Sequence, residues 1–92
     1  MTTNRDNIFI VTRLYISASD SNSNGHSDCE VFQNRDEASR LFRIWREEEL
    51  NLRKETGCDY NILTDKNEKF HCSWDSNLEM LIVILTEKVL KA

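Results

Sequence analysis

Proline is absent from this 92-residue chain, and glycine occurs only at Gly25 and Gly57. So little glycine leaves no glycine-rich loop to cradle a phosphate. Cysteine is sparse and odd in number, at Cys29, Cys58 and Cys72. Secreted disulfide scaffolds carry an even, denser set, so a reducing, cytoplasmic setting is expected. No apolar run approaches the roughly 18 residues of a membrane span. The opening MTTNRDNIFIVTRLY carries Asp6 and no clean apolar block before a small-residue cleavage site, so it does not read as a signal peptide. An excess of positive charge is also lacking. Lysine and arginine total 12 against 16 acids, a net charge of -4, and the bases are scattered. Duplex nucleic acid is held by clustered positive charge, so no nucleic-acid partner is expected.

What is present is ordinary globular material for a single domain, 39% hydrophobic and 30% charged. The stretch IFIVTRLYIS alternates as a strand. Ile8, Ile10, Thr12, Leu14 and Ile16 share the face expected to meet the core. Phe9, Val11, Arg13, Tyr15 and Ser17 share the other. A flexible polar loop is expected from Ala18 to Asp28, followed by a short strand in CEVFQ.

The segment NRDEASRLFRIWREEELNLRKETG predicts a helix. Asn34 can cap its first turn, with Glu37 three residues on, close to a capping box. Asp36 and Glu37 suit the positive start, and Arg53 and Lys54 the negative end. Gly57 can take the left-handed position that stops it. Ala38, Leu41, Phe42, Trp45 and Leu52 form the expected core stripe, widened by Ile44 and Leu50 and interrupted by Glu48 and Glu49.

Two more strands are expected in CDYNILTDKNEKFHCSW, around a reversal at Thr64–Lys69, with another turn at Trp74–Asn77. The segment LEMLIVILTEKVLKA can read as a helix through Leu78, Leu81, Ile82 and Leu85. The β-branched run Ile82, Val83, Ile84 favours a strand. The expected fold is α+β: a small, mostly antiparallel sheet of four to five strands in β(β)αβββ order, with one long helix on one face. Both faces of the first and last strands are apolar enough to suggest that a homodimer covers the second face.

The loop Asp20–Asp28 resembles the first half of an EF-hand calcium loop. Asp20, Asn22 and Asn24 take positions 1, 3 and 5, Gly25 takes 6, His26 takes 7 and Asp28 takes 9. Val31 stands where the motif places its clamping glutamate, Ser27 replaces the usual apolar residue, and strands replace the flanking helices. The loop is therefore expected to be polar surface, with weak metal binding as the alternative. Zinc would need four converging nitrogen or sulfur ligands. His26, Cys29, Cys58, His71 and Cys72 lack the paired short spacings, and adjacent His71 and Cys72 point to opposite faces of a strand. Cys58 and Cys72 are expected as small core residues.

No catalytic or cofactor-binding residue is expected. The alternative enzyme would join a cysteine to His26 or His71. Glu47, Glu48 and Glu49 are expected on a wet helix face, with Arg43, Arg46, Arg53 and Lys54 as partners. Trp45 is expected in the core. Arg13, Tyr15 and Trp74 are the interface candidates, because aromatics beside arginine recur where proteins meet. The expected function is a small acidic protein-binding or self-associating module, adaptor-like or inhibitor-like, whose partner is a protein or a second copy.

Overall fold

A computed structural model describes residues 7–17, 26–57, 59–75 and 78–89. The chain runs β1 (Asn7–Ser17), β2 (His26–Phe32), α1 (Arg35–Thr56), β3 (Tyr60–Asp65), β4 (Lys69–Trp74) and β5 (Glu79–Val89). The strands form one antiparallel sheet in the order β2-β1-β5-β4-β3, and α1 lies across one face. The fold is the expected α+β arrangement with the early second strand present. The segment with two readings is a strand. As β5 it sits between β1 and β4, where a β-branched run packs well. No helix among the described residues is long and apolar enough to cross a membrane.

The helix begins and ends where its caps stand. The Asn34 side-chain oxygen accepts from the backbone N–H of Asp36 at 2.7 Å and of Glu37 at 3.2 Å. Gly57 sits at φ 69 and its N–H donates to the Lys54 carbonyl. A Cβ added at Gly57 would meet nothing within 4 Å. Gly57→Ala should therefore cost about 1 kcal/mol through backbone conformation alone. Asn34→Ala should cost a similar amount, about 1 kcal/mol, by orphaning helix N–H groups. Urea unfolding of both variants checks the pair, and a stabilised Gly57→Ala would contradict the left-handed cap.

The core lies between α1 and the sheet. It holds Phe9, Val11, Ala38, Phe42, Trp45, Leu50, Phe70, Cys72, Trp74, Leu81, Val83 and Leu85. Three expectations are corrected here. First, the face of β1 that meets the helix is the Phe9, Val11, Arg13, Tyr15 set, not the Ile8, Ile10, Thr12, Leu14, Ile16 set. The reason is chemical matching: Glu49 and Arg53 are buried on α1, and Arg13 and Tyr15 are the β1 residues able to meet charge and rings. Second, the buried stripe of α1 runs Ala38, Phe42, Trp45, Glu49, Arg53 with Leu50 beside it as expected, leaving Ile44 and Leu52 exposed. Third, β2 starts at His26, so His26, Ser27 and Asp28 belong to a strand and Gln33 does not. Arg13 and Asp28 are paired across β1 and β2 and joined by an ion pair, which carries the ladder past the expected loop end.

Candidate functional site

Two features of the sheet are candidates, one on each face. On the helix side, charged and aromatic groups converge toward the C-terminal half of α1. Arg13 donates to the Asp28 carboxylate through Nη2 at 2.8 Å and Nε at 3.2 Å, and reaches Glu48 at 3.4 Å. Its guanidinium lies 4.4 Å from the Trp45 ring centre. Arg53 lies 3.9 Å over the Trp74 ring, and Tyr15 stacks on the same indole at a 6.2 Å centroid distance. The Tyr15 hydroxyl donates to Glu79, and the Ser17 hydroxyl donates to the same carboxylate at 2.6 Å. That bond to Glu79 raises the Tyr15 phenol above its usual value, and burial adds to the effect.

Glu49 and Arg53 form a buried pair one helical turn apart. Glu49 Oε2 and Arg53 Nε lie 2.9 Å apart without hydrogen-bond alignment. Burial pushes the Glu49 carboxyl above the usual range, opposed by the charges of Arg53 and Arg13. The run of acids Glu47–Glu49 predicts a wet face for Glu49. Glu49 is instead the helix's buried carboxylate.

Of the interface candidates, Tyr15 and Trp74 stack on each other while Arg13 lies over Trp45, and Arg13 and Tyr15 are half-buried. Trp74 is only 9% exposed and belongs to the core. Trp45 is core as expected. Of the metal candidates, Asp20, Asn22 and Asn24 lie outside the described residues. His26 opens β2, and Asp28 is already held by Arg13. No group of three or more metal-ligating side chains converges among the described residues. Cys72 is buried and Cys29 exposed, while Cys58 lies outside the described residues.

An open groove of about 930 Å³ runs between α1 and the β3–β4 turn. Two of its four arginines are engaged: Arg35 with Glu68 and Glu87, Arg46 with Glu47 and Asp65. The Arg46–Asp65 bond is bidentate, at 2.8 and 2.6 Å, and holds the Asp65 carboxyl below its usual range. A depressed folded-state value means the contribution is present at neutral pH and fades as pH falls through that value. Asp65→Asn should therefore cost up to about 1 kcal/mol at neutral pH, as a largely exposed pair, and nearly nothing in strong acid. Unfolding midpoints of wild type and variant at neutral and acid pH test this. An equal difference at both would contradict it.

The second candidate is the sheet face away from the helix. Residues paired across strands point to the same face. Ile8, Ile10, Thr12, Leu14 and Ile16 of β1 face outward beside Lys88, Thr86, Ile84, Ile82 and Met80 of β5. Val31, Cys29 and Ser27 of β2 extend the face on one side, and Lys69 and His71 of β4 border it on the other, where Ser73 is fully buried. Leu14 is 36% exposed, Ile16 37% and Val31 57%, and Ile8, Ile10, Met80, Ile82 and Ile84 are half-buried by their neighbours in the sheet. His71 Nε2 is buried here without a hydrogen-bond partner among the described residues. The result is a continuous apolar surface that no element among the described residues packs against. A signal for it was present in the sequence: the even residues of β1 carry no charge, whereas the odd set carries Arg13 and Tyr15 to match Glu49 and Arg53. No family model, curated protein or solved structure matches the chain.

Proposed function

We propose that this chain is a non-catalytic protein-docking module whose working surface is the open face of β1 and β5, flanked by β2. The observation that carries the reading is the outward apolar row of exposed Leu14 and Ile16 with half-buried Ile10, beside half-buried Met80, Ile82 and Ile84. An apolar patch beyond a few hundred Å² on a water-exposed surface marks a place where another molecule sits. An antiparallel sheet face meant for water is mostly polar, whereas β1 turns Ile8, Ile10, Leu14 and Ile16 outward with Thr12 alone among them.

The experiment is site-specific photo-cross-linking in the producing cell. A photoreactive phenylalanine analogue at Leu14 should give a discrete protein adduct, identified by mass. The same analogue at Ile44, exposed on the helix, should give none. Absence of any adduct at Leu14, or equal labelling at both positions, would sink the docking reading.

A further inference from the structure

We propose that the occupant of the open face is the same face of a second copy of this chain. The two copies then form a sandwich with sheets inside and helices outside. This inference rests on the docking reading above and names its partner.

The remaining segments of this sequence are a poor cover. Residues 1–6, 18–25, 58, 76–77 and 90–92 offer Met1, Cys58 and Leu90 as their only sizeable apolar side chains. Those three side chains carry less apolar surface than a face built from Ile8, Ile10, Leu14, Ile16, Ile82 and Ile84 presents.

The face has the form a self-association needs. A two-fold interface brings a patch against itself, so any charge at its centre would meet its like. Charged residues make up 30% of this chain, yet the centre of the face, from Ile10 to Leu14 and Ile82 to Thr86, holds none. Its charges are at the rim: Lys88 opposite Ile8 near the strand ends, and Lys69 on β4. Lysine stems can lie along apolar surface while their ammonium groups stay in water. Homodimer interfaces are also more apolar than those with exchanging partners. Short β-branched side chains on two such faces can interdigitate at the roughly 10 Å spacing of stacked sheets, crossed by about 30°.

The area is sufficient. β1 and β5 pair from Asn7 to Ser17, and β2 and β4 flank them. At about 3.3 Å per residue and 4.8 Å per strand, the footprint is about 500–600 Å² per copy before side-chain relief. Two copies then bury more than the roughly 1,000 Å² that separates a biological interface from a casual one.

Sedimentation equilibrium tests the proposal, with the Leu14→Lys variant and circular dichroism to confirm its fold. Wild type should show twice the 10.8 kDa chain mass at about 50 μM. Its Tm should rise with concentration, because association stabilises only the folded chain. Leu14→Lys should weaken association by more than about 100-fold and melt at a concentration-independent temperature, since two ammonium groups would be buried. Should that variant fail to fold, Thr12→Lys at the centre of the face and the wild-type concentration dependence decide. A wild-type monomer at about 100 μM overturns the second copy. In that case a Leu14 cross-link to a different protein leaves the docking reading standing, and no cross-link overturns both. A dimer untouched by folded Leu14→Lys or Thr12→Lys places the contact elsewhere and also overturns the proposal.

Discussion

Phe70→Ala is expected to remove about 3–5 kcal/mol of folding stability. Phe70 is 0% exposed and is the largest of the fully buried side chains. It sits on β4 opposite Val83 of β5, on the layer that α1 covers, and the Arg46 guanidinium lies 5.5 Å over its ring. Removing the ring deletes apolar contact and leaves a cavity that backbones locked in a sheet cannot close. Small domains have total stabilities of about 5–15 kcal/mol, so this one change would leave the fold marginal. Equilibrium urea unfolding reads the effect. Val31→Ala is the control, because Val31 is 57% exposed at the edge of the sheet and should lose less than about 0.5 kcal/mol in the separated chain. A Phe70→Ala loss under about 1 kcal/mol would contradict the packing described.

The second large effect is expected at the buried pair on α1. Arg53→Met should cost about 3 kcal/mol at neutral pH, because it strands the Glu49 carboxylate in the core and removes the cation over Trp74. The pH dependence follows from the direction of the Glu49 shift. Glu49 is held above its usual value by burial, so the folded state binds its proton more tightly than the unfolded state does. Stability therefore falls as pH rises from the usual carboxylate value through the raised one. Arg53 opposes that rise. Without it the Glu49 value climbs further, and the defect should shrink on acidification. Adding Glu49→Gln to Arg53→Met should recover much of the loss at neutral pH, since no charge is then stranded. Urea midpoints of the three proteins across pH test this. An Arg53→Met defect equally large in acid, or a double variant as weak as the single, would contradict the account.

Much of the fold was legible because it rests on local chemistry. Asn34, the acids that follow it and Gly57 mark the ends of α1 through backbone hydrogen bonding that depends on few neighbours. The β-branched run in β5 outweighs a helical stripe, and β5 sits between β1 and β4, where β-branched side chains pack against neighbours on the pleated surface. The facing of β1 was less legible. Its even residues are the more apolar, so hydrophobicity alone turns them inward. The winning term is non-local. Glu49 and Arg53 occupy the buried stripe of α1, and the strand face beneath them must supply Arg13 and Tyr15. That match needs helix and strand to be considered together. Once β1 turns its odd residues to the helix, pairing with β5 fixes Met80, Ile82 and Ile84 outward as well. The candidate site is thus the consequence of one choice of face. Arg13, Tyr15 and Trp74 read as contact residues from their chemistry, and the same chemistry lets them pack beside the Glu49–Arg53 pair, Trp74 buried and the other two half-buried.

The most direct measurement is solvent access to the methyl groups of that face in the isolated protein. A soluble paramagnetic probe, read by methyl relaxation at about 200 μM, ranks each side chain by exposure while the chain associates as its affinity allows. Ile10, Leu14, Ile82 and Ile84 should be shielded in wild type nearly as well as core Val11 and Val83, and Ile10, Ile82 and Ile84 should become accessible in Leu14→Lys. Methyls of Ile10, Leu14, Ile82 and Ile84 as accessible in wild type as that of Leu63, which is 55% exposed on β3, would contradict it.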